Sequence, residues 1–251
     1  MKTTLFCAVA LALSAPASAE VLHVYGPGGP APAMMEAAKV YRAQTGTEVR
    51  VVAGPTKEWI GKAKDDADLV YSGAENMMTD FVRDMEGRID EQTIDPLYLR
   101  VSSILVRPGN PRRIRGLRDL MVPGRKVIVV QGSGQAGLWE DMAGRTGDVR
   151  MVRALRRNIV NYAATSADAK AKWIADPSID AWIIWGVWEI ANPTIADVVA
   201  VEPQFRIYRD AGIALTMRGK AKPESARFLN FLHSPAGARI FAKWGWITPG
   251  R

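Results

Sequence analysis

The chain has 251 residues, 48% of them apolar, and carries 33 Lys and Arg against 26 Asp and Glu, a formal net charge of +7. That is enough for one large α/β domain or two smaller lobes with a proper core. The positive charge is scattered, and its one dense run, Arg150 to Arg157, has the spacing of a solvated helix face with an apolar stripe opposite, which sets a nucleic-acid interface aside and leaves a modest field suited to steering a small anion.

Lys2, the apolar run Leu5 to Leu13 and the small residues Ala17-Ser18-Ala19 before Glu20 read as a cleaved export signal over residues 1–19, which places the mature chain in the periplasm. The single cysteine, Cys7, lies inside that signal without a lipobox around it, so neither a disulfide nor a lipid anchor is expected. No later stretch is apolar for long enough to cross a bilayer; the most apolar, Ala181 to Ile190, is interrupted by Gly186 and Glu189.

The mature chain opens with a strand, Val21 to Tyr25, that runs into Gly26-Pro27-Gly28-Gly29-Pro30 and a helix from Ala31 to Gln44. A helix begun this way has N–H groups without intrahelical partners, and Gly28 and Gly29 let a ligand approach the bare backbone, the arrangement of an anion seat. The same logic recurs. A strand from Glu48 to Ala53 leads through Gly54-Pro55-Thr56 into a helix from Lys57 to about Asp66, and a strand from Ala67 to Tyr71 ends in Ser72-Gly73 before a helix from Ala74 to Met85. This alternation predicts a parallel sheet whose strand ends gather these turns on one edge.

Leu97 to Arg107 is a long strand carrying Arg100, Ser102 and Ser103, and reads as a crossing between lobes. A second α/β series follows. It comprises a short helix near Leu117 to Met121, a strand from Lys126 to Val130, and the loop 131–137 leading into a helix at Leu138. A strand from Asp180 to Trp185 ends at Gly186, Asp197 to Val201 continues the lobe, and Phe205 to Met217 reads as the strand returning to the first lobe. Pro223 to Trp244 forms two helices split at Ser234-Pro235.

Residues 21 to 248 resemble the type II periplasmic solute-binding proteins, and within them the accessory colonization factor AcfC branch, related to the sulfate and molybdate receptors. The strings that carry the likeness are Val24 to Met34, Asp68 to Met78, Gly137 to Arg145, Asp180 to Trp185 and Phe241 to Ile247. The resemblance implies an α/β fold of two lobes, each a mainly parallel sheet flanked by helices and joined by two crossing strands, with an oxyanion between them. The expected lobes are 20–105 with 213–251, and 106–212. It also implies a monomer with no cofactor or metal, whose partner is either an ABC permease or a chemoreceptor.

Gly28, Gly29, Ser72 and Gly73 are the first lobe's candidate donors, and Gln135, Ala136, Gly137 and Leu138 those of the second. Ser102 is either a ligand donor or a hydroxyl bonded to backbone. Arg100, on the same strand face, is either a bidentate donor or a solvated surface arginine, and Tyr208 and Arg209 on the returning strand stand in the same class. Trp185 belongs either to a packed core with Trp182 and Trp188 or to a cover over an organic ligand. A site of neutral donors favours a fully ionised tetrahedral anion, sulfate first, then thiosulfate, molybdate or tungstate. The alternative is an organosulfate or carboxylate. Catalysis is not expected: the mature chain has no thiol, His23 and His233 lack metal-ligand spacing, Gly132-Ser133-Gly134 is not a nucleophile elbow, and Glu140 and Asp141 point to different helix faces.

Overall fold

The computed structural model describes residues 21–249; the export signal read at 1–19 lies outside them. β1 (Leu22–Gly26) pairs in parallel with β2 (Val49–Ala53) on one side and β3 (Leu69–Tyr71) on the other. The crossovers are α1 (Ala31–Thr45) and α2 (Thr56–Asp66), and α3 (Glu75–Asp84) follows β3. α1 forms because Met34, Ala37, Ala38 and Tyr41 fall on one stripe, all buried, and it stops where Gly46 turns left-handed (φ 80°) and donates its N–H to Arg42 O.

β4 (Asp95–Val106) organises the molecule. Its first part, through Val101, pairs antiparallel with β9 (Tyr208–Leu215), and its second, from Ser102, with β7 (Ala181–Trp185) and β8 (Asp197–Ala200). One strand thus belongs to two half-sheets. β9 also lies antiparallel against β3, so the first half-sheet is mixed where the sequence predicts a mainly parallel one. The second half-sheet places β5 (Val127–Val130) between β7 and β6 (Ile159–Ala163), all parallel, giving the order β2-β1-β3-β9-β4-β7-β5-β6 with β8 on the flank of β4.

Around the second half-sheet run α4 (Leu138–Gly144), α5 (Val149–Asn158), α6 (Ser166–Ala175) and α7 (Val187–Ala191). α5 carries the basic run with Arg150, Arg153, Arg156 and Arg157 exposed and Leu155 buried. α8 (Met217–Lys220), α9 (Pro223–His233) and α10 (Pro235–Lys243) return to the first half-sheet, where Phe228 meets Tyr41 edge-on at 5.1 Å and Phe241 meets Tyr98 at 4.8 Å. β6 and α6 have no counterpart in the sequence reading. Trp173, Trp182, Trp185 and Trp246 are fully buried, and each contributes on the order of 5 kcal/mol of burial, the reserve against which a buried charge can be held. Among the described residues no helix is long and apolar enough to cross a membrane.

Candidate functional site

Where the two half-sheets face each other, a cleft of about 130 Å³ opens beside the carboxyl ends of β1, β2, β3 and β6. The first half-sheet lines it with Pro27, Gly28, Gly29 and Pro30 ahead of α1, Gly54 and Pro55 ahead of α2, and Gly73 and Met77 at α3. The three strand ends predicted to gather are brought together. The second half-sheet contributes Gly134, Gln135, Thr165, Ser166, Ala167 and Trp188.

Arg100 forms the floor. Alternation along β4 turns Tyr98, Arg100 and Ser102 inward, and at Arg100 the chain is passing from one half-sheet to the other. Its guanidinium lies over Trp185 at 4.5 Å, with Trp246 at 5.6 Å, and donates through Nη2 to Gly73 O. It is cradled by glycines: a Cβ on Gly29 would come to 2.9 Å from Nη1, and on Gly73 or Gly134 to 2.8 or 2.9 Å from Nη2. Arg100 as a residue is 4% exposed, no carboxylate pairs with its guanidinium among the described residues, and Nε has no hydrogen-bond partner. Burial pushes its pKa down to about 9, opposed in part by the charge of Asp210 and reinforced by Arg209. It is therefore a cation at neutral pH, desolvated, without a carboxylate in ion-pair contact, and lining a cavity.

The lip opposite is the start of α6. Thr165 caps it reciprocally: its hydroxyl takes the Asp168 N–H at 3.1 Å, and the Asp168 carboxylate takes the Thr165 N–H at 3.1 Å. This leaves the first two helical N–H groups, on Ser166 and Ala167, without intrahelical acceptors at the cleft. Thr165, Ser166 and Ala167 were not among the sequence candidates; the signal that identifies them is Thr165-x-x-Asp168 following the β-branched pair Ile159-Val160.

Of the sequence candidates, Gly28, Gly29, Gly73, Arg100 and Gln135 line the cleft, and the others lie elsewhere. Ser72 is buried and extends the β3–β9 ladder, its N–H on Gly212 O at 2.7 Å and its hydroxyl accepting from Gly212 N at 3.3 Å. Ser102 shares the face of Arg100, but its hydroxyl accepts from Ile207 N at 3.0 Å, the backbone alternative. Gly137, left-handed at φ 73°, starts α4 away from the cleft, with Ala136 exposed beside it and Leu138 in the core. Trp185 is fully buried and meets the guanidinium, so it supports the floor and does not line the cleft; Trp188, on α7, lines it. Arg209 stands opposite Arg100 in the β4–β9 ladder, where like charges repel, and reaches to Asp141 at 2.7 Å. With Tyr208, which is 46% exposed, it borders a separate surface depression with Glu140 and Arg145.

This arrangement can hold an anion by a desolvated guanidinium from below and backbone N–H groups from the sides, between Met77 and Trp188. Among the described residues no group of three or more His, Cys, Asp or Glu is placed to hold a metal ion.

Residues 22–247 match the bacterial extracellular solute-binding protein family. A search of curated proteins finds no match. Among solved structures, Peb3 from Campylobacter jejuni is 35% identical, with a TM-score of 0.84 over 90% of this chain and 99% of that one. A crystal structure of PEB3 with bound L-phospholactate superposes with a TM-score of 0.85 at the same identity and coverage. The sulfate-binding protein SubI from Mycobacterium tuberculosis H37Rv shares the fold at 19% identity, with a TM-score of 0.76 over 92% of this chain and 87% of that one. With type II periplasmic binding proteins as its structural neighbours, the chain belongs to the bacterial extracellular solute-binding protein family.

Proposed function

We propose that this protein is a periplasmic receptor, acting as a monomer, that captures a small organic anion between two lobes and hands it to an ABC permease or presents it to a chemoreceptor. The lobes are the two half-sheets with their helices, parting between Val101 and Ser102 and again before Tyr208. The observation that carries the reading is Arg100, a buried cation at the cleft floor without a carboxylate of its own. Such a group costs several kcal/mol to bury and is stabilised when a carboxylate or phosphate arrives. The cleft is walled by Met77 and Trp188, apolar side chains suited to the carbon skeleton of an organic anion more than to a bare tetrahedral ion. A relative at 35% identity binds L-phospholactate, which carries a carboxylate and a phosphate. Binding, and not turnover, is the reading, as the family is one of solute-binding proteins. The second reading is a sulfate-like oxyanion, supported by the free N–H groups at the cleft and the fold shared with a sulfate-binding protein.

The test is to melt protein stripped of bound anion by partial unfolding and dialysis against L-phospholactate, malate, succinate, an aryl sulfate, sulfate, thiosulfate and molybdate. A ligand at about a thousand times its Kd adds roughly 4 kcal/mol, on the order of 10 °C in Tm. The expected result is a shift of that size with one or more organic anions. Shifts confined to sulfate, thiosulfate or molybdate would replace the reading with the oxyanion one, and no shift with any anion would overturn both.

A further inference from the structure

Gln135 is 6% exposed, lines the cleft, and has its amide half used. Nε2 donates to Ser166 Oγ at 2.6 Å, which ties the β5–α4 loop to the start of α6, while Oε1 has no hydrogen-bond partner among the described residues. Arg100 and the free N–H groups of Ser166 and Ala167 are donors, and they match acidic oxygens. Gln135 Oε1 is the opposite: a buried acceptor that an anion's oxygens do not satisfy and that is left desolvated when the cleft fills with acceptors alone.

We infer that Gln135 selects anions that bear a hydroxyl, so that within the organic-anion reading on which this rests, the substrate class is the hydroxy acids and those phosphate esters that keep a free hydroxyl. A ligand hydroxyl donates to Oε1 and accepts from a neighbouring N–H, which completes the site. An analogue without it leaves the amide oxygen unpaired. The size of the discrimination follows from the same asymmetry that lets a site built for a hydroxyl reject its deoxy counterpart far more strongly than an apolar pocket rejects an extra hydroxyl.

The experiment is titration calorimetry on three matched pairs that differ by one hydroxyl: phospholactate and 2-phosphoglycerate of the same hand, succinate and malate, propionate and lactate. In the wild type, the hydroxylated member of the tightest-binding pair is expected to bind roughly tenfold or more tightly. Gln135→Met, which keeps length and removes the acceptor, should narrow that ratio to within about twofold, mainly by weakening the hydroxylated member. Gln135→Leu, which also removes the acceptor, should narrow the ratio in the same way, and it decides the matter should the methionine variant fail to fold, a surviving preference there overturning the inference. The inference is overturned if the anions bind without a hydroxyl preference, if they prefer the member lacking it, or if the preference survives in Gln135→Met. If none of these anions binds the wild type, the organic-anion reading itself falls, and this inference with it.

Discussion

Arg100 is a cation held where the surroundings disfavour charge. Three glycines admit it, Trp185 supports its plane, and Gly73 O accepts one of its N–H groups, yet no carboxylate among the described residues is in ion-pair contact with it. Lowering its pKa from 12.5 to about 9 corresponds to a cost on the order of 5 kcal/mol for keeping it charged in the empty cleft. That cost works against stability and in favour of binding, since an arriving anion relieves it. Arg100→Met should therefore raise the Tm of the empty protein by about 3–6 °C, because a buried, unpaired ion is replaced by an apolar chain of similar length at the loss of one hydrogen bond. The same variant should lose the Tm shift produced by L-phospholactate or any other anion that binds the wild type. A variant that melts no higher than the wild type, or that still responds to the anion, would show that Arg100 is a structural ion and not the ligand's counter-charge.

At the level of elements, α6 is held at the cleft by its cap. The Thr165 hydroxyl and the Asp168 carboxylate occupy the N–H groups that the ligand does not need and fix the direction of the two that remain. Gln135 ties the neighbouring loop to the same turn through Ser166. Thr165→Ala should cost about 1 kcal/mol, or 2–4 °C in Tm, as cap removal generally does. It should also weaken anion binding several-fold, because the first turn frays where it meets the cleft. Differential scanning calorimetry and calorimetric titration measure the two effects separately. Loss of stability with unchanged affinity would mean that α6 frames the cleft without contributing donors to it.

Across the whole molecule, the half-sheets meet at a contact without side chains. A Cβ on Gly134 would lie 2.9 Å from Gly73 O across the cleft and as close to the Arg100 guanidinium, although the Gly134 backbone (φ −66°) is open to any residue. Gly134 is thus small for the sake of closure and not for its conformation. Gly134→Val should hold the two halves apart, weakening L-phospholactate or whichever anion binds by roughly tenfold or more. Small-angle scattering should show a fall in radius of gyration on anion binding in the wild type and a smaller fall, or none, in the variant. Equal affinities would mean that the contact is incidental to capture.

The sequence by itself determined the elements whose signals are local. The apolar stripe and Gly46 stop define α1, Ser234-Pro235 divides α9 from α10, and the glycine-bearing ends of β1, β2 and β3 face the cleft because parallel crossovers leave them no other edge. The resemblance carried by Val24 to Met34 and Asp68 to Met78 gave the family. Tertiary structure decided which polar residues the cleft receives. Arg100, Ser102 and Trp185 could each be read two ways because strand alternation gives a face but not what covers it: β9 took Ser102 into its backbone, Trp185 went beneath the guanidinium, and Arg100 kept the open side. Arg209 went to Asp141 because its place in the ladder set it against another cation. The start of α6 was written locally as Thr165-x-x-Asp168, but its approach to β1 and β3 depends on β4 serving two half-sheets, a pairing between segments far apart in the chain that no local signal encodes.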